Sequence, residues 1–165
     1  NVKRAGVANK VDVRLGFGLS VLHKYEVDTV IIAGMVSRTI EKIIGANYQL
    51  SQSLDRLVLQ PMANSGSLRR WLIENNFKLV DEKLVKEERL YQILVAKPGA
   101  MEIKDPFLME FGPILVKQKD PLLKTYFQNL VDEWQEIIVE ITAKSPEHPK
   151  IKELKEKINR LEEYI

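Results

Sequence analysis

The run Asp28-Thr-Val-Ile-Ile-Ala33 is apolar nearly throughout and stops at Gly34. An antiparallel strand with one wet face alternates apolar and polar residues, whereas a continuous apolar run belongs to a parallel strand covered on both faces. Two neighbouring segments follow the same plan. Lys10-Val-Asp-Val-Arg-Leu15 alternates and ends at the turn Gly16-Phe17-Gly18; residues 54–59 end at Gln60-Pro61, where Pro61 has no N–H to give a ladder. Helical stretches separate them. A short one is predicted around Leu19 and Leu22, a second from Ser37, as N-cap, to Ile44 with Gly45 ending it. A third runs over 67–75, after the loop 62–66. Residues 78–86 and 89–97 read as a closing hairpin, with Pro98-Gly99 as a boundary. Strands alternating with helices predict an α/β sheet.

Beyond residue 105 the pattern becomes helical. Leu123, Phe127, Leu130, Trp134, Ile137 and Ile141 recur at spacings of 4 and 3, as do Ile151, Leu154, Ile158, Leu161 and Ile165 after the turn Ser145-Pro-Glu-His-Pro149. Two such stripes joined by a short proline turn predict an antiparallel coiled-coil hairpin. The charged faces of the second helix read as solvated surface. The expected organisation is residues 1–99 as an α/β domain and 100–165 as a helical domain.

Composition excludes several chemistries. The chain has 165 residues and no cysteine, so disulfides, thiolate nucleophiles and cysteine-built zinc sites are ruled out. No metal site is expected. No apolar run approaches the roughly 20 residues of a membrane helix, and the first residues carry no signal core, which favours a cytoplasmic setting. Net charge is only +2, but its distribution is uneven. Residues 1–98 carry 15 Lys+Arg against 10 Asp+Glu, and residues 99–165 carry 10 against 13. A mildly basic front half is compatible with a polyanionic partner. His23 and His148 read as surface residues, and the pairs Asp81-Glu82 and Glu87-Glu88 as solvated or turn acids.

Ligands of open parallel sheets bind beyond the carboxyl ends of the strands. Three segments fall there: Gly16-Phe17-Gly18, Ala33-Gly34-Met35 and Gln60-Pro61-Met62. Glycine lets a ligand approach the backbone closely. No phosphate loop or acid–base dyad accompanies them, which suits a transferase that chiefly positions its substrates.

The ordered set Val11-Asp-Val-Arg-Leu-Gly16, Val27-Asp-Thr-Val-Ile-Ile-Ala-Gly-Met35, Arg56-Leu-Val-Leu-Gln-Pro61, Leu68-Arg-Arg-Trp-Leu72, Asn76-Phe77, Tyr91-Gln-Ile-Leu-Val-Ala96 and Phe111-Gly-Pro113 resembles the TrmK-type tRNA (adenine(22)-N1)-methyltransferases. The resemblance implies a partial Rossmann-like class I methyltransferase sheet with an appended helical coiled-coil hairpin, S-adenosylmethionine as donor, and N1 of an adenosine in tRNA as acceptor. It implies that Gly16, Phe17, Gly18 and Gly34 surround the cofactor. Ala33, Gly34, Met35, Gln60 and Pro61 then lie beside the methyl group and the target base. Lys10, Arg14, Arg38, Lys42, Arg69 and Arg70 are candidate phosphate contacts, the two domains together gripping the tRNA.

This chain departs from the family pattern at three places. Phe17 stands where an acidic residue usually accepts from the cofactor's adenine amino group; Val36 and Ser37 replace two glycines; Met62 replaces an asparagine, with Asn64 two residues later. The resemblance also implies that the chain starts after the family's first two strands and their glycine-rich loop. That would leave a gap of roughly 14 Å between the strands at 10–15 and 28–33. Buried backbone cannot stay unpaired across it. Either the first strand moves over to pair with the second, or another chain supplies the missing part, or the sequence is a piece of a longer protein. The alternative functional reading is a catalytically inactive module that binds RNA or associates with itself through exposed strand edges.

Overall fold

The computed structural model describes residues 6, 7 and 9–164. Its sheet has the order β1-β2-β4-β3, built from β1 (Thr29–Met35), β2 (Arg56–Pro61), β3 (Phe77–Lys86) and β4 (Leu90–Pro98). β1 and β2 are parallel; β4 runs antiparallel to both β2 and β3. The crossover from β1 to β2 is helical, through α1 (Ser37–Ala46) and α2 (Tyr48–Ser51), and α3 (Ser65–Glu74) leads from β2 into β3. Apolar residues of α1 and α3 at helical spacing, Ile40, Ile44, Leu68 and Leu72, are fully buried in one core with Val30, Ile32, Leu57, Leu59, Leu94 and Ala96 of the sheet. Each such Val, Leu or Ile side chain contributes about 1.5–3 kcal/mol by leaving water.

Four sequence expectations are corrected here. Residues 10–15 form no strand: Val13 is 77% and Leu15 103% exposed, and the segment joins no ladder among the described residues. A strand exists only where a ladder partner satisfies it. Here Arg14 instead ties the segment into a local loop, bonding Val21 O (2.9 Å), Asp12 (2.7 Å) and Glu26. The helix expected around Leu19 is likewise only a turn. Third, β1 is a sheet edge rather than a strand covered on both faces. Val30 and Ile32 face the core, while Ile31 is 71% exposed on the other face. The helix after β1 is also capped differently. Val36 is the N-cap residue, Ser37 is buried inside α1, and Gly45 lies within the helix against Trp71.

A bulge decides which side chains of β3 enter the core. Leu79 pairs with Ala96 and Asp81 with Val95, so Val80 is the extra residue. Side chains alternate faces along a strand, and one inserted residue reverses the parity. Phe77 and Leu79 are buried before the bulge, Glu82 and Leu84 after it. The solvated acid expected at position 82 is thus fully buried. It forms an ion pair with Arg69 of α3, Nε to Oε1 2.6 Å, both side chains at 0% exposure.

The helical part contains α4 (Leu108–Phe111), α5 (Pro113–Gln118), α6 (Leu123–Lys144) and α7 (Pro149–Glu162). The α6–α7 pair is an antiparallel hairpin: Phe127 near the start of α6 meets Tyr164 just past α7, ring centroids 6.3 Å apart. Four of the five stripe residues, Ile151, Leu154, Ile158 and Leu161, are buried, and the fifth, Ile165, lies outside the described residues. The heptad assignment does not carry over to α6. Its buried residues are Leu123, Phe127 and Val131, spaced by four, while Ile137 and Ile141 are only half-buried. The reason is packing against Leu84 and Phe111 as well as α7, so α6 serves two neighbours. The other face of α7 is not merely solvated. Arg160 pairs with Asp105 at 2.7 Å and lies over Phe107, and Lys157 pairs with Glu110 and Glu153. His148 is exposed as expected, and its Nδ1 accepts from Lys150 N as the cap of α7. No described helix is long and apolar enough to cross a membrane.

Removing Arg69 strands the Glu82 carboxylate in the core. Arg69→Ala is expected to lower unfolding free energy by about 3–5 kcal/mol in denaturant titrations, and the paired replacement Arg69→Met with Glu82→Leu to restore most of it.

Candidate functional site at the carboxyl ends of β1 and β2

The ladder between β1 and β2 ends irregularly. Ala33 pairs with Gln60 and Met35 with Pro61, leaving Gly34 as a bulge. Gly34 has φ +75°, a conformation that costs other residues about 1–2 kcal/mol. A Cβ there would meet nothing within 4 Å, so conformation rather than crowding requires glycine, and the space beyond it is open.

Three links hold the strand ends together. Gly34 N–H donates to Gln60 Oε1 (2.9 Å), Met62 N–H donates to Met35 O (2.9 Å), and the Ser37 hydroxyl lies 2.6 Å from Ala63 O and 2.9 Å from Asn64 O. Ser37 therefore turns inward to fasten the loop after β2, away from the rim. Asn64 is left-handed at φ 58° immediately before α3. The loop and the start of β4 enclose a small cleft of about 130 Å³, lined by residues that include Pro61, Met62, Asn64, Arg89 and Tyr91. Arg89 stacks over Tyr91, 5.0 Å to the ring centroid. A cleft this size is below the ~300 Å³ of a whole small-molecule pocket.

The structure brings Ala33, Gly34, Met35, Gln60 and Pro61 to one rim. Gly16, Phe17 and Gly18 lie on the loop before β1, with Gly16 against Val21. Gly18 packs on Ile43 of α1, and Phe17 is 92% exposed. Among the candidate phosphate contacts, Lys10, Arg38, Lys42 and Arg70 are exposed. Arg69 is corrected: buried against Glu82 and Gln92, it has no path to a phosphate. Arg14 is engaged by Asp12 and Glu26. Its hydrogen bond, with a further one from His23 N–H, holds the Glu26 carboxyl down to about 2. Sequence reasoning missed Arg89 and Asn64 as rim residues; the positive φ of Asn64 has no signature beyond its residue type. Among the described residues no cluster of three or more His, Asp or Glu is placed to hold a metal ion.

The exposed backbone of residues 33–35 and the Gln60 amide fit the polar edge of a small ligand better than they fit acid–base chemistry. A parallel strand pair joined by a helical crossover, with an antiparallel strand beside it, is a Rossmann-like arrangement. The sequence profile of the TrmK family, tRNA (adenine(22)-N(1))-methyltransferase, matches residues 1–163, and the chain belongs to that family. The tRNA (adenine(22)-N(1))-methyltransferase of Bacillus subtilis is 32% identical over 168 residues, spanning 98% of this chain and 70% of that one. Among crystal structures, a Streptococcus agalactiae protein of the NADB-Rossmann superfamily superposes with TM-score 0.85 at 32% identity, over 99% of this chain and 71% of that chain. The Streptococcus pneumoniae protein Sp1610 in complex with S-adenosyl-L-methionine gives TM-score 0.78 at 29% identity, over 99% and 72%.

Two outcomes check this geometry. Gly34→Ala should cost about 1–2 kcal/mol of stability through backbone strain alone, read by denaturant unfolding. In a carboxyl NMR titration, Glu26 should show a midpoint near 2. A depressed carboxylate contributes above its unfolded value and loses that contribution as it protonates. The 11–26 loop should therefore loosen as pH falls from about 4.5 toward 2.

Proposed function

We propose that this chain carries the strand-end rim of an S-adenosylmethionine-dependent tRNA methyltransferase acting on N1 of an adenosine, the family position being 22. Membership of the TrmK family and the linked β1–β2 rim support the reading, and the Gly34–Gln60 hydrogen bond is the observation that carries it. When bound, S-adenosylmethionine supplies a methyl group on a sulfonium, and adenine N1 presents a lone pair, so the protein needs no base. The electron pair of the breaking C–S bond stays on sulfur as the N1–C bond forms. What remains for the protein is alignment, worth several orders of magnitude in rate.

Ala33, Gly34 and Met35 offer backbone to the cofactor side of the rim. Gln60 fixes the Gly34 amide through Oε1, and its Nε2 donates to Pro61 O at 3.1 Å, so one side chain sets the spacing of both walls. Pro61 and Asn64, facing Tyr91, border the side where a base edge enters. Gly16, Phe17 and Gly18, on the loop before β1, keep the cofactor-binding role that the family resemblance implies. A cytoplasmic setting follows from tRNA as substrate. The second reading, self-association, is favoured by the open edge of β1 with Ile31 and by exposed Val13, Leu15 and Phe17; sedimentation giving a dimer would support it.

Methyl transfer to tRNA transcripts, with N1-methyladenosine located by mass spectrometry, tests the proposal. The unaltered chain should methylate a single adenosine, and Gln60→Ala should lower the rate about 10- to 100-fold while melting at a similar temperature. No methyl incorporation together with no heat in calorimetry at millimolar S-adenosylmethionine would defeat it.

A further inference from the structure

A larger groove, about 1260 Å³, lies at the other end of the sheet, lined by the loop before β1, α2, and the ends of β2, β3 and β4. Its lining includes Lys24, Arg56, Lys78 and Lys97, and Asp55 is its one acid. Lys78 and Lys97 sit directly opposite one another across β3 and β4. Continuing the β2–β4 register one step past Leu57 and Ala96 puts Arg56 beside Lys97. Three cations thus stand in a row across three strands about 4.8 Å apart. Like charges in opposed cross-strand positions destabilise a sheet. Asp55 is the one carboxylate in the lining, and among the described residues none of the three cations forms an ion pair, whereas Arg14, Arg69, Lys157 and Arg160 all do. An uncompensated cationic row is unfavourable for folding and is accounted for by an anionic occupant.

Aromatic surface flanks the row. Tyr25 is 77% exposed, held at φ 66° with Lys24 Nζ 4.9 Å over its ring, and Tyr48 is anchored at the wall by its hydroxyl donating to Asn75 O (3.1 Å). Cations that track a phosphate backbone beside exposed aromatic faces are the chemistry that holds RNA. A lipid surface would call for protruding apolar anchors instead. Arg56 and Gln60 lie on the same face of β2, four residues or about 13 Å apart. An RNA whose base reaches the rim can therefore keep its backbone within reach of this row.

We infer that the Arg56–Lys97–Lys78 row, with Lys24 and Tyr25, is a second RNA-binding surface that grips tRNA backbone away from the methyl-transfer rim. The inference rests on the proposed tRNA substrate. It is tested by measuring tRNA retention against salt concentration for the unaltered chain, for Lys78→Gln with Lys97→Gln, and for Tyr25→Ala, with heparin as a second polyanion. The double replacement should reduce the slope of log affinity against log salt by about 1.5. It should weaken binding at least 10-fold near 0.1 M salt and leave S-adenosylmethionine binding unchanged. Its melting temperature should be equal or higher, because repulsion is relieved. Tyr25→Ala should weaken tRNA binding without changing the slope. An unchanged tRNA slope in the double replacement overturns the inference alone, and the same result with loss of heparin binding assigns the row to another anion. Failure of the unaltered chain to retain tRNA overturns both this inference and the proposed substrate.

Discussion

The buried ion pair between Arg69 and Glu82 fixes how the helical part sits on the sheet. Two desolvated charges are tolerable only when every polar atom around them is used. Here they are. Arg69 donates to Glu82, to Gln92 Oε1 (2.6 Å) and to the carbonyls of Met109 and Glu110. The second Glu82 oxygen accepts from the amides of Ile114 (2.8 Å) and Leu115 (3.4 Å) at the start of α5. Those amides lack helical partners, so a sheet carboxylate acts as the cap of a helix in the appendage. Among the described residues no buried side-chain nitrogen or oxygen is left without a partner.

The same network reaches the rim. Gln92 accepts from Ser65, the first residue of α3 and the neighbour of Asn64, and donates to the Tyr126 hydroxyl on α6. Burial pushes the Tyr126 phenol up, the nearby Arg69 charge and the Gln92 bond opposing it only partly, so it stays neutral. A displacement of α6 would thus be felt at Ser65, one residue from the loop that Ser37 fastens. The start of α3, beside the loop after β2, and the helical hairpin are positioned by one continuous set of hydrogen bonds.

How far the chain's structure could be read in advance depended on whether each feature was local. The runs at 28–33 and 54–59 and the hairpin stripes of β3 and β4 specified strands because their apolar residues had a core to enter. Gly34 and Pro61 fall at the ends of those two strands, as their turn chemistry implies. Residues 10–15 carry an equally good alternating pattern and form no strand, because alternation specifies a face but not a partner. From sequence Glu82 reads as a surface acid, since the bulge at Val80, which turns it inward, has no signal in composition. Arg69, adjacent to Arg70 in sequence, was given the same role, although helical geometry sends one to the core and the other to water. On α6 the heptad reading failed at Val131 because the helix packs against the sheet's appendage and α7 together.

Residue-resolved amide hydrogen exchange tests most directly whether sheet, rim and helical part are one mechanical unit. The account predicts that the amides of Ile114 and Leu115, which donate to Glu82, exchange only with global unfolding, at the same free energy as the central amides of β2 and β4. Exchange of α5 to α7 as a separate, less stable unit while the sheet amides stay protected would contradict it.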